Sequence, residues 1–153
     1  MYIYRKCDFV IQQLFQITNK KAQRVPFILN PVQTKYSGLA TSRDLILKAR
    51  REGFSTYIKA EWLAACMTEE NTRAVILSQD TSATQKHLDM VKFMLKYMKG
   101  GQGVEIGYNS KNELTFPKTD STFYIGTAGA KSWGRGDTIT HLHLSETAFY
   151  RIS

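Results

Sequence analysis

The stretch over residues 44–56 constrains the fold of this chain more than any other part of it. It begins with the short apolar run Leu45–Leu47, which has the length of a buried strand, and then turns through Gly53 into a pair of hydroxyl residues. A strand, a tight turn and a helix N-terminus together form an anion site, because backbone N–H groups and the helix dipole point at whatever lies there. We therefore predict a strand over 43–48 and a helix over 56–67.

The turn departs from the usual phosphate-binding pattern G-x-x-x-x-G-K-S/T. Gly53 and Ser55 fit that pattern, but Phe54 stands where the lysine is expected, and Lys48 occupies the position of the first glycine. From the end of the predicted strand, the Lys48 ammonium can reach phosphates across the loop, and two arginines inside the loop add further donors. The competing interpretation is a strand-to-helix turn with a solvated basic cluster. The residues predicted to contact the phosphates are Lys48, Ala49, Arg50, Arg51, Glu52, Gly53, Phe54, Ser55 and Thr56.

Alternating strands and helices predict a parallel sheet. Residues 74–78 form a continuous apolar run, which is typical of a strand covered on both faces, and a helix with an apolar stripe is predicted over 83–99. Strand, helix, strand and helix in this order indicate βαβ units. The other predicted elements are a helix over 8–17, an extended segment over 25–31, and short strands over 104–108, 113–116, 122–125 and 138–146, of which 104–108 and 113–116 are expected to pair as a hairpin.

The last predicted strand ends in a carboxylate, with Ser145 and Glu146 as its final residues. A hard cation such as Mg²⁺ needs oxygen ligands, and a water that attacks a phosphate needs a base or an orienting acceptor. Glu146 supplies such a group, whereas the Ser145 hydroxyl is a poorer partner for Mg²⁺ than a carboxylate. The end of this strand is therefore the second half of the predicted site.

Three segments together resemble the ATPase domain of phage terminase large subunits, the motors that pump DNA into capsids. Lys-Ala-Arg-Arg-Glu-Gly-Phe-Ser-Thr over 48–56 resembles the deviant Walker A loop of that family, whose essential lysine can stand at the front of the loop. Phe-x-Leu-Asn-Pro-x-Gln over 27–33 resembles the segment that carries an adenine-contacting glutamine. Leu-His-Leu-Ser-Glu-Thr-Ala-Phe over 142–149 resembles the Walker B element in its Ser-Glu form.

The resemblance implies an α/β fold of the P-loop NTPase class with an additional strand (ASCE type). This fold is a three-layer sandwich with a mainly parallel central sheet, here ending after the Walker B strand. It also implies a single ATPase domain over 1–153, with an N-terminal helix and adenine-binding segment over 1–36 and a P-loop core over 43–146. No nuclease domain is expected, and hydrolysis by this shortened domain is expected to be slow or absent.

The same resemblance assigns roles to individual residues, with ATP and Mg²⁺ as the cofactors. Gln33 would contact the adenine, since an amide offers a donor and an acceptor side by side. Glu146 would activate water, and Arg135, in the loop before the last strand, would act as an arginine finger or contact DNA. The implied catalytic set is Glu146, Lys48, Arg51 and Arg135, and the implied metal-associated set is Ser55, Ser145 and Glu146.

Composition agrees with this reading without requiring it. The net charge is +8, from 21 Lys and Arg against 13 Asp and Glu, which permits contact with nucleic acid. No apolar run approaches the length of a membrane span, and Cys7 and Cys66 lie too far apart for a metal or redox motif, so free thiols are expected. The implied partners are double-stranded DNA, a portal protein and a small terminase subunit. The implied setting is a homo-oligomeric ring in the host cytoplasm, without a membrane, and the isolated chain is expected to be a monomer.

Two other functions stay open at this stage. Another P-loop motor, such as a helicase, would normally carry a lysine after Gly53 and an Asp-Glu pair, and this chain has neither. A non-catalytic basic DNA-binding or packaging-accessory module with a vestigial loop is the other alternative. His141 and His143 share a strand face and suggest zinc, but the chain offers no obvious third ligand, so packed or hydrogen-bonded strand histidines are expected.

Overall fold

The structure is a computed structural model, and it describes residues 6–48, 52–100, 104–129 and 138–147. The described part contains four α-helices, six strands and a single turn of 3₁₀ helix over Pro117–Thr119. In chain order these are α1 (Lys6–Leu14), β1 (Gln16–Thr18), β2 (Arg24–Pro26), α2 (Pro31–Leu39), α3 (Phe54–Thr68), β3 (Arg73–Ser78), α4 (Thr81–Lys96), β4 (Glu113–Phe116), β5 (Ser121–Thr127) and β6 (His141–Leu144).

The main sheet has the strand order β4-β5-β3-β6. Strand β3 pairs in parallel with both β5 and β6, so that Ile76 lies opposite Ile125 on one side and His143 on the other. Strand β4 pairs antiparallel with β5 at the edge of the sheet. The expected mixed α/β fold with a mainly parallel sheet is therefore confirmed.

One face of this sheet carries the core. Ala74 and Ile76 of β3 belong to a single cluster with the buried residues of α1, α3 and α4. Since alternate residues of a strand point to opposite faces, the helices lie on the Ala74 and Ile76 side. The opposite face carries Leu142 and Leu144 of β6, which are both exposed. The described part of the chain is thus a helical layer on a sheet, and the third layer expected from the sequence is not among its elements.

Helix α3 lies at the centre of the fold. Most of its side chains are buried, because its sequence combines large apolar residues with three alanines that allow close approach, and α1 packs directly against it. A helix that is apolar on nearly all sides is stable only inside a protein. The predicted helix over 56–67 is therefore confirmed, and it begins two residues earlier, at Phe54.

A buried carboxylate joins the three helices of the N-terminal half. Asp8 of α1 accepts hydrogen bonds from the Ser37 hydroxyl of α2 and from the Tyr57 hydroxyl of α3, the latter at 2.7 Å. Burial is the largest factor that raises the pKa of Tyr57 above its usual value, so the phenol stays protonated and acts as a donor. These bonds fix the orientation of α1 and α2 relative to α3.

The predicted strand over 43–48 is wrong. This segment is not a strand, and Leu45 and Leu47 are 97% and 100% exposed. The side chain of Asp44 accepts bonds from the backbone N–H and hydroxyl of Thr41, which forms a local turn at the start of the segment. An apolar run becomes a strand only when a neighbouring strand pairs with its backbone, and no described strand pairs with this one.

Two further elements differ from prediction. The first helix ends at Leu14 instead of 17, since Ile17 pairs with Val25 in the small antiparallel ladder of β1 and β2. Segment 104–108 is not a strand: the N–H of Gly107 and the carbonyl of Tyr108 both bond to the backbone of Thr115, which interrupts a regular ladder. The predicted strands over 74–78, 113–116 and 122–125 and the helix over 83–99 are present, with the helix spanning Thr81–Lys96.

Replacing Tyr57 with Phe should destabilise the fold. The variant leaves a carboxylate oxygen of Asp8 without its donor in a buried site, which costs roughly 1–3 kcal/mol of unfolding free energy. Urea unfolding followed by circular dichroism measures the change. Tyr108→Phe is the matched control because Tyr108 is exposed, and it should change stability by less than about 0.5 kcal/mol. Equal stabilities for the two variants would contradict the bracing role of Asp8.

Candidate functional site

The N-terminus of α3 has no side-chain cap among the described residues. Its N-cap is Gly53, with φ +73 and ψ 10, and no described side chain caps the first turn. The α2 and α4 helices differ, because Asn30 and Asp80 cap them with side-chain oxygens. The first-turn N–H groups of α3 therefore lack the usual capping acceptor, and they carry the positive end of a helix of 15 residues.

The turn before α3 is held by two side chains of the preceding segment. The Nε2 of Gln33 donates to the Gly53 carbonyl at 2.9 Å, and the Nδ2 of Asn30 donates to the Glu52 carbonyl at 3.2 Å. Asn30 and Gln33 also form a reciprocal capping box at the start of α2. A Cβ at Gly53 would lie 2.8 Å from the Gln33 Nε2, so this bracing and the positive φ both require glycine.

Contacts along α3 show which end of β6 its N-terminus faces. The Trp62 ring lies edge-on to the rings of His141 and His143. Its centroid is 5.9 Å from that of His141 and 5.8 Å from that of His143. At the far end of the helix, the Cys66 sulfur lies 3.6 Å from the Thr122 carbonyl, and Thr122 pairs with Arg73 at the start of β3. Moving towards the start of α3 therefore moves towards the carboxyl end of β6. Ser55 lies about 6 Å further along the helix axis than Lys59, on the side of Ser145 and Glu146.

A buried basic cluster lies below this end of the sheet. Lys59 of α3 is buried, and its Nζ contacts the Nδ1 of His87 of α4 at 2.7 Å. Burial lowers the pKa of Lys59 to about 7 and is the largest factor that lowers the pKa of His87 to about 3 and of His143 to about 4. At neutral pH both imidazoles are uncharged, and His87 presents its Nδ1 lone pair to the ammonium.

A cavity of about 300 Å³ opens at the carboxyl ends of β3 and β6. Ser145 lies at the end of β6, where its N–H donates to the Leu77 carbonyl at 2.9 Å, and Glu146 follows it. Glu146 has φ +57, a left-handed conformation that costs a non-glycine residue energy and is enriched at functional sites. The cavity is lined by Ser78, Gln79, Asp80, Ser82, Ala83, Lys86, His87, Ser145 and Glu146.

Two oxygen atoms in the wall of this cavity are buried and lack a hydrogen-bond partner among the described residues. They are the hydroxyl of Ser78 and the Oε1 of Gln79. Beside them, Asp80 caps α4 through the N–H of Ala83 at 2.8 Å, and this bond is the largest factor that lowers the pKa of the Asp80 carboxyl. These two atoms have almost no exposed surface, so the polar groups that the wall offers to a ligand are the carboxylates of Asp80 and Glu146.

Some of the predicted site residues lie at the start of α3, others lie at the end of β6, and four are not described. Gly53, Ser55 and Thr56 lie at the start of α3, and Ser145 and Glu146 lie at the carboxyl end of β6 that α3 faces. Lys48 is exposed. Four of the predicted residues, Ala49, Arg50, Arg51 and Arg135, lie outside the described residues.

Phe54 and Gln33 have structural roles that the sequence did not reveal. Phe54, at the usual lysine position, is buried edge-on against Tyr36 with ring centroids 5.3 Å apart. Gln33 is also buried, and its amide oxygen accepts from the Asn30 N–H at 3.0 Å while its nitrogen donates to Gly53. Its contact with adenine stays a prediction. Glu52 contributes its carbonyl to the same network.

Sequence reasoning missed Lys59, His87 and Gln79. Lys59 follows Ser55 by one helical turn, and from the sequence alone a lysine at this position is expected to be exposed to solvent. Gln79 follows an apolar strand directly, which is the position where site residues of parallel sheets are found, and that signal was available. His141 and His143 face Trp62, and no group of three metal-binding side chains occurs in the described residues.

The fold is similar to that of a solved phage protein. The crystal structure of the HK97 bacteriophage large terminase matches with a TM-score of 0.76 at 17% sequence identity, over 94% of this chain and 31% of that one. The chain therefore spans about a third of the length of this relative. No protein-family profile and no curated protein sequence matches. At this identity the likeness establishes a terminase-like fold.

Of the helices that the structure describes, none combines the length and the apolar character that crossing a membrane requires.

Substituting Gly53 with Ala should lower the free energy of unfolding, whereas Gly38→Ala should not. Alanine at position 53 must adopt a left-handed conformation and displace the Gln33 amide, and we expect a loss of roughly 1–2 kcal/mol of unfolding free energy. Gly38 lies within α2 with open space around it, so Ala there should stabilise by up to about 1 kcal/mol. Chemical denaturation of both variants tests this, and a stable Gly53→Ala variant would refute the bracing role of Gln33.

Replacing Lys59 with Met should alter how stability depends on pH. The pKa of Lys59 is about 7 in the folded protein and about 10.4 in the unfolded chain, so the unfolded chain binds more protons between these values. The folded wild type should therefore gain stability relative to Lys59→Met as pH rises from 7 to 10, by at most about 1.4 kcal/mol per pH unit. Denaturant titrations at several pH values measure the difference, and a constant difference would contradict the burial of a titrating amine.

Proposed function

We propose that this chain is an ATP-binding and ATP-hydrolysing domain of the phage large-terminase type. The observation that carries the proposal is the direction of α3: its last turns lie at the start of β3 and β5, so its uncapped N-terminus points towards the carboxyl ends of the parallel strands, where Ser145 and Glu146 follow β6. A polyphosphate needs N–H donors and a helix dipole, and its hydrolysis needs a carboxylate beside the terminal phosphate. The terminase-like fold supports this assignment.

In this proposal each residue has a distinct task. The backbone N–H groups of Phe54, Ser55 and Thr56 bind the phosphates, and Lys48 neutralises their charge from the front of the loop. Glu146 accepts a proton from the attacking water. The Ser55 and Ser145 hydroxyls and the Glu146 carboxylate are oxygen donors of the kind that hold Mg²⁺, which would neutralise charge on the terminal phosphates. Gln33 contacts the adenine, and Arg50, Arg51 and Arg135 supply further positive charge.

The wider role proposed for the chain is that of a packaging motor. ATP hydrolysis would drive double-stranded DNA into a procapsid, within a homo-oligomeric ring that contacts a portal protein and a small terminase subunit in the host cytoplasm. The relative whose fold is similar is a phage large terminase, and the net charge of +8 suits contact with DNA. The P-loop class and the three-layer sandwich belong to this proposal as well.

A second candidate function is a non-catalytic DNA-binding or packaging-accessory module. Two observations favour it: the segment before the turn is not part of the sheet, and Phe54 replaces the lysine that orthodox loops use. A basic surface would then bind DNA through phosphate contacts, with an affinity that falls steeply with salt. Nucleotide binding separates this function from the motor.

Titration with a fluorescent ATP analogue in the presence of Mg²⁺ tests the proposed function. The wild-type chain should bind with a dissociation constant that Lys48→Ala raises by about tenfold or more, since a phosphate loses its charged partner. Glu146→Gln should bind as tightly as wild type and abolish any release of phosphate. Lys20→Ala, which removes an exposed lysine of the turn between β1 and β2, is the matched control and should bind normally. Wild-type binding that is absent, or unaffected by Lys48→Ala, would favour the accessory module.

A further inference from the structure

We propose that the surface formed by the turn between β1 and β2 and by the end of α4 binds the phosphate backbone of duplex DNA. We call it the β1–α4 surface, and its basic residues are Lys20, Lys21, Arg24, Lys96 and Lys99, which are exposed or lie at its rim. This role rests on the DNA contact in the function proposed above, and it does not require ATP hydrolysis.

Two segments of the sequence without acidic residues supply this surface. Residues 9–43 contain five Lys and Arg, residues 90–104 contain three, and neither segment contains Asp or Glu. The rest of the chain has 13 basic and 13 acidic residues, so these two segments account for the whole net charge of +8. The excess positive charge is therefore concentrated, although it looks dispersed along the sequence.

The fold packs the two segments against each other. Helix α4 contacts β1, and the Lys99 N–H donates to the Leu14 carbonyl at 2.9 Å. The guanidinium carbon of Arg24 lies 4.6 Å from the centre of the Tyr97 ring, and the Nζ of Lys96 lies 5.2 Å from the same point. Two cations on one ring repel each other, and a bound polyanion removes that cost.

The turn between β1 and β2 extends the surface. Arg24 pairs with Thr18 in the ladder of these strands, and Lys20 and Lys21 lie in the turn that joins them. At about 3.3 Å per residue, the turn is within about 10 Å of Arg24. None of the five basic residues forms an ion pair with a carboxylate among the described residues. Their charge is thus available to a partner.

The spacing of the charges suits a phosphate backbone. A DNA duplex carries one phosphate for about every 1.7 Å of its axis, so a surface about 10 Å across meets several of them. Lysine and arginine that neutralise these phosphates release counterions, and this release drives binding.

Two observations favour duplex DNA over other polyanions. The Tyr97 ring is covered by Arg24 and contacts Phe93 with centroids 4.7 Å apart, so it does not offer the free face on which single-stranded bases stack. The large apolar side chains that the structure leaves exposed all lie outside residues 16–24 and 92–99, so the surface lacks the groups that insert into a lipid layer.

Fluorescence anisotropy of a short labelled duplex, without nucleotide, tests the β1–α4 surface. Lys21→Gln/Lys99→Gln should lower the affinity by about tenfold or more at low salt. The slope of log affinity against log salt should become shallower by about 2, since each lost phosphate contact removes about 0.9. Both side chains are exposed, so the thermal midpoint should not change.

The matched control is Lys111→Gln/Lys118→Gln, which removes the same charge from two exposed lysines outside both segments and should leave the salt slope unchanged. An equal loss of affinity in the two variants would overturn the proposal, because DNA would then respond to net charge alone. A wild-type chain that binds no duplex would also overturn it, whether or not it binds vesicles of phosphatidylserine and phosphatidylcholine.

The ATPase function is tested separately by the titration with the ATP analogue. Normal nucleotide binding beside any of these contrary results would leave that function intact and reject the β1–α4 surface. DNA binding that depends on Lys21 and Lys99, in a chain that binds no nucleotide, would refute the ATPase function and support the surface.

Discussion

The burial of α3 is the constraint on which the rest of the structure depends. This helix packs against α1, α4 and the sheet, and most of its residues are buried. A helix fixed on so many sides cannot rotate or slide, so its N-terminus has one direction. Asn30 and Gln33 then hold the turn that enters it, so the N–H groups of its first turn have a defined position.

The candidate site combines a buried basic cluster with carboxylates that line the cavity. Lys59, His87 and His143 lie together under the sheet without a described carboxylate between them, and their pKa values fall as a result of burial. Asp80 and Glu146 line the cavity together with His87. Groups whose surroundings push their pKa values away from normal are typical of functional sites, although structural networks also produce them. Here the location at the carboxyl ends of parallel strands favours function.

Local patterns in the sequence were enough to predict the core of the fold. The apolar run over 74–78 favours a strand and the apolar stripe of α4 favours a helix, so β3 and α4 appear where the sequence predicts them. The prediction of a strand over Leu45–Leu47 is wrong. The run has the composition of a strand, but strand formation depends on a partner strand that local sequence does not reveal. Local sequence does not reveal burial either, so the burial of Lys59 and the bracing role of Gln33 are known only from the structure.

A crystal structure of the chain with Mg²⁺ and a non-hydrolysable ATP analogue tests the central claim most directly. The account predicts that the phosphates lie on the N–H groups of Phe54, Ser55 and Thr56, with the terminal phosphate between that turn and the Glu146 carboxylate. Phosphates bound at another surface, or a Glu146 carboxylate turned away from the first turn of α3, would contradict it.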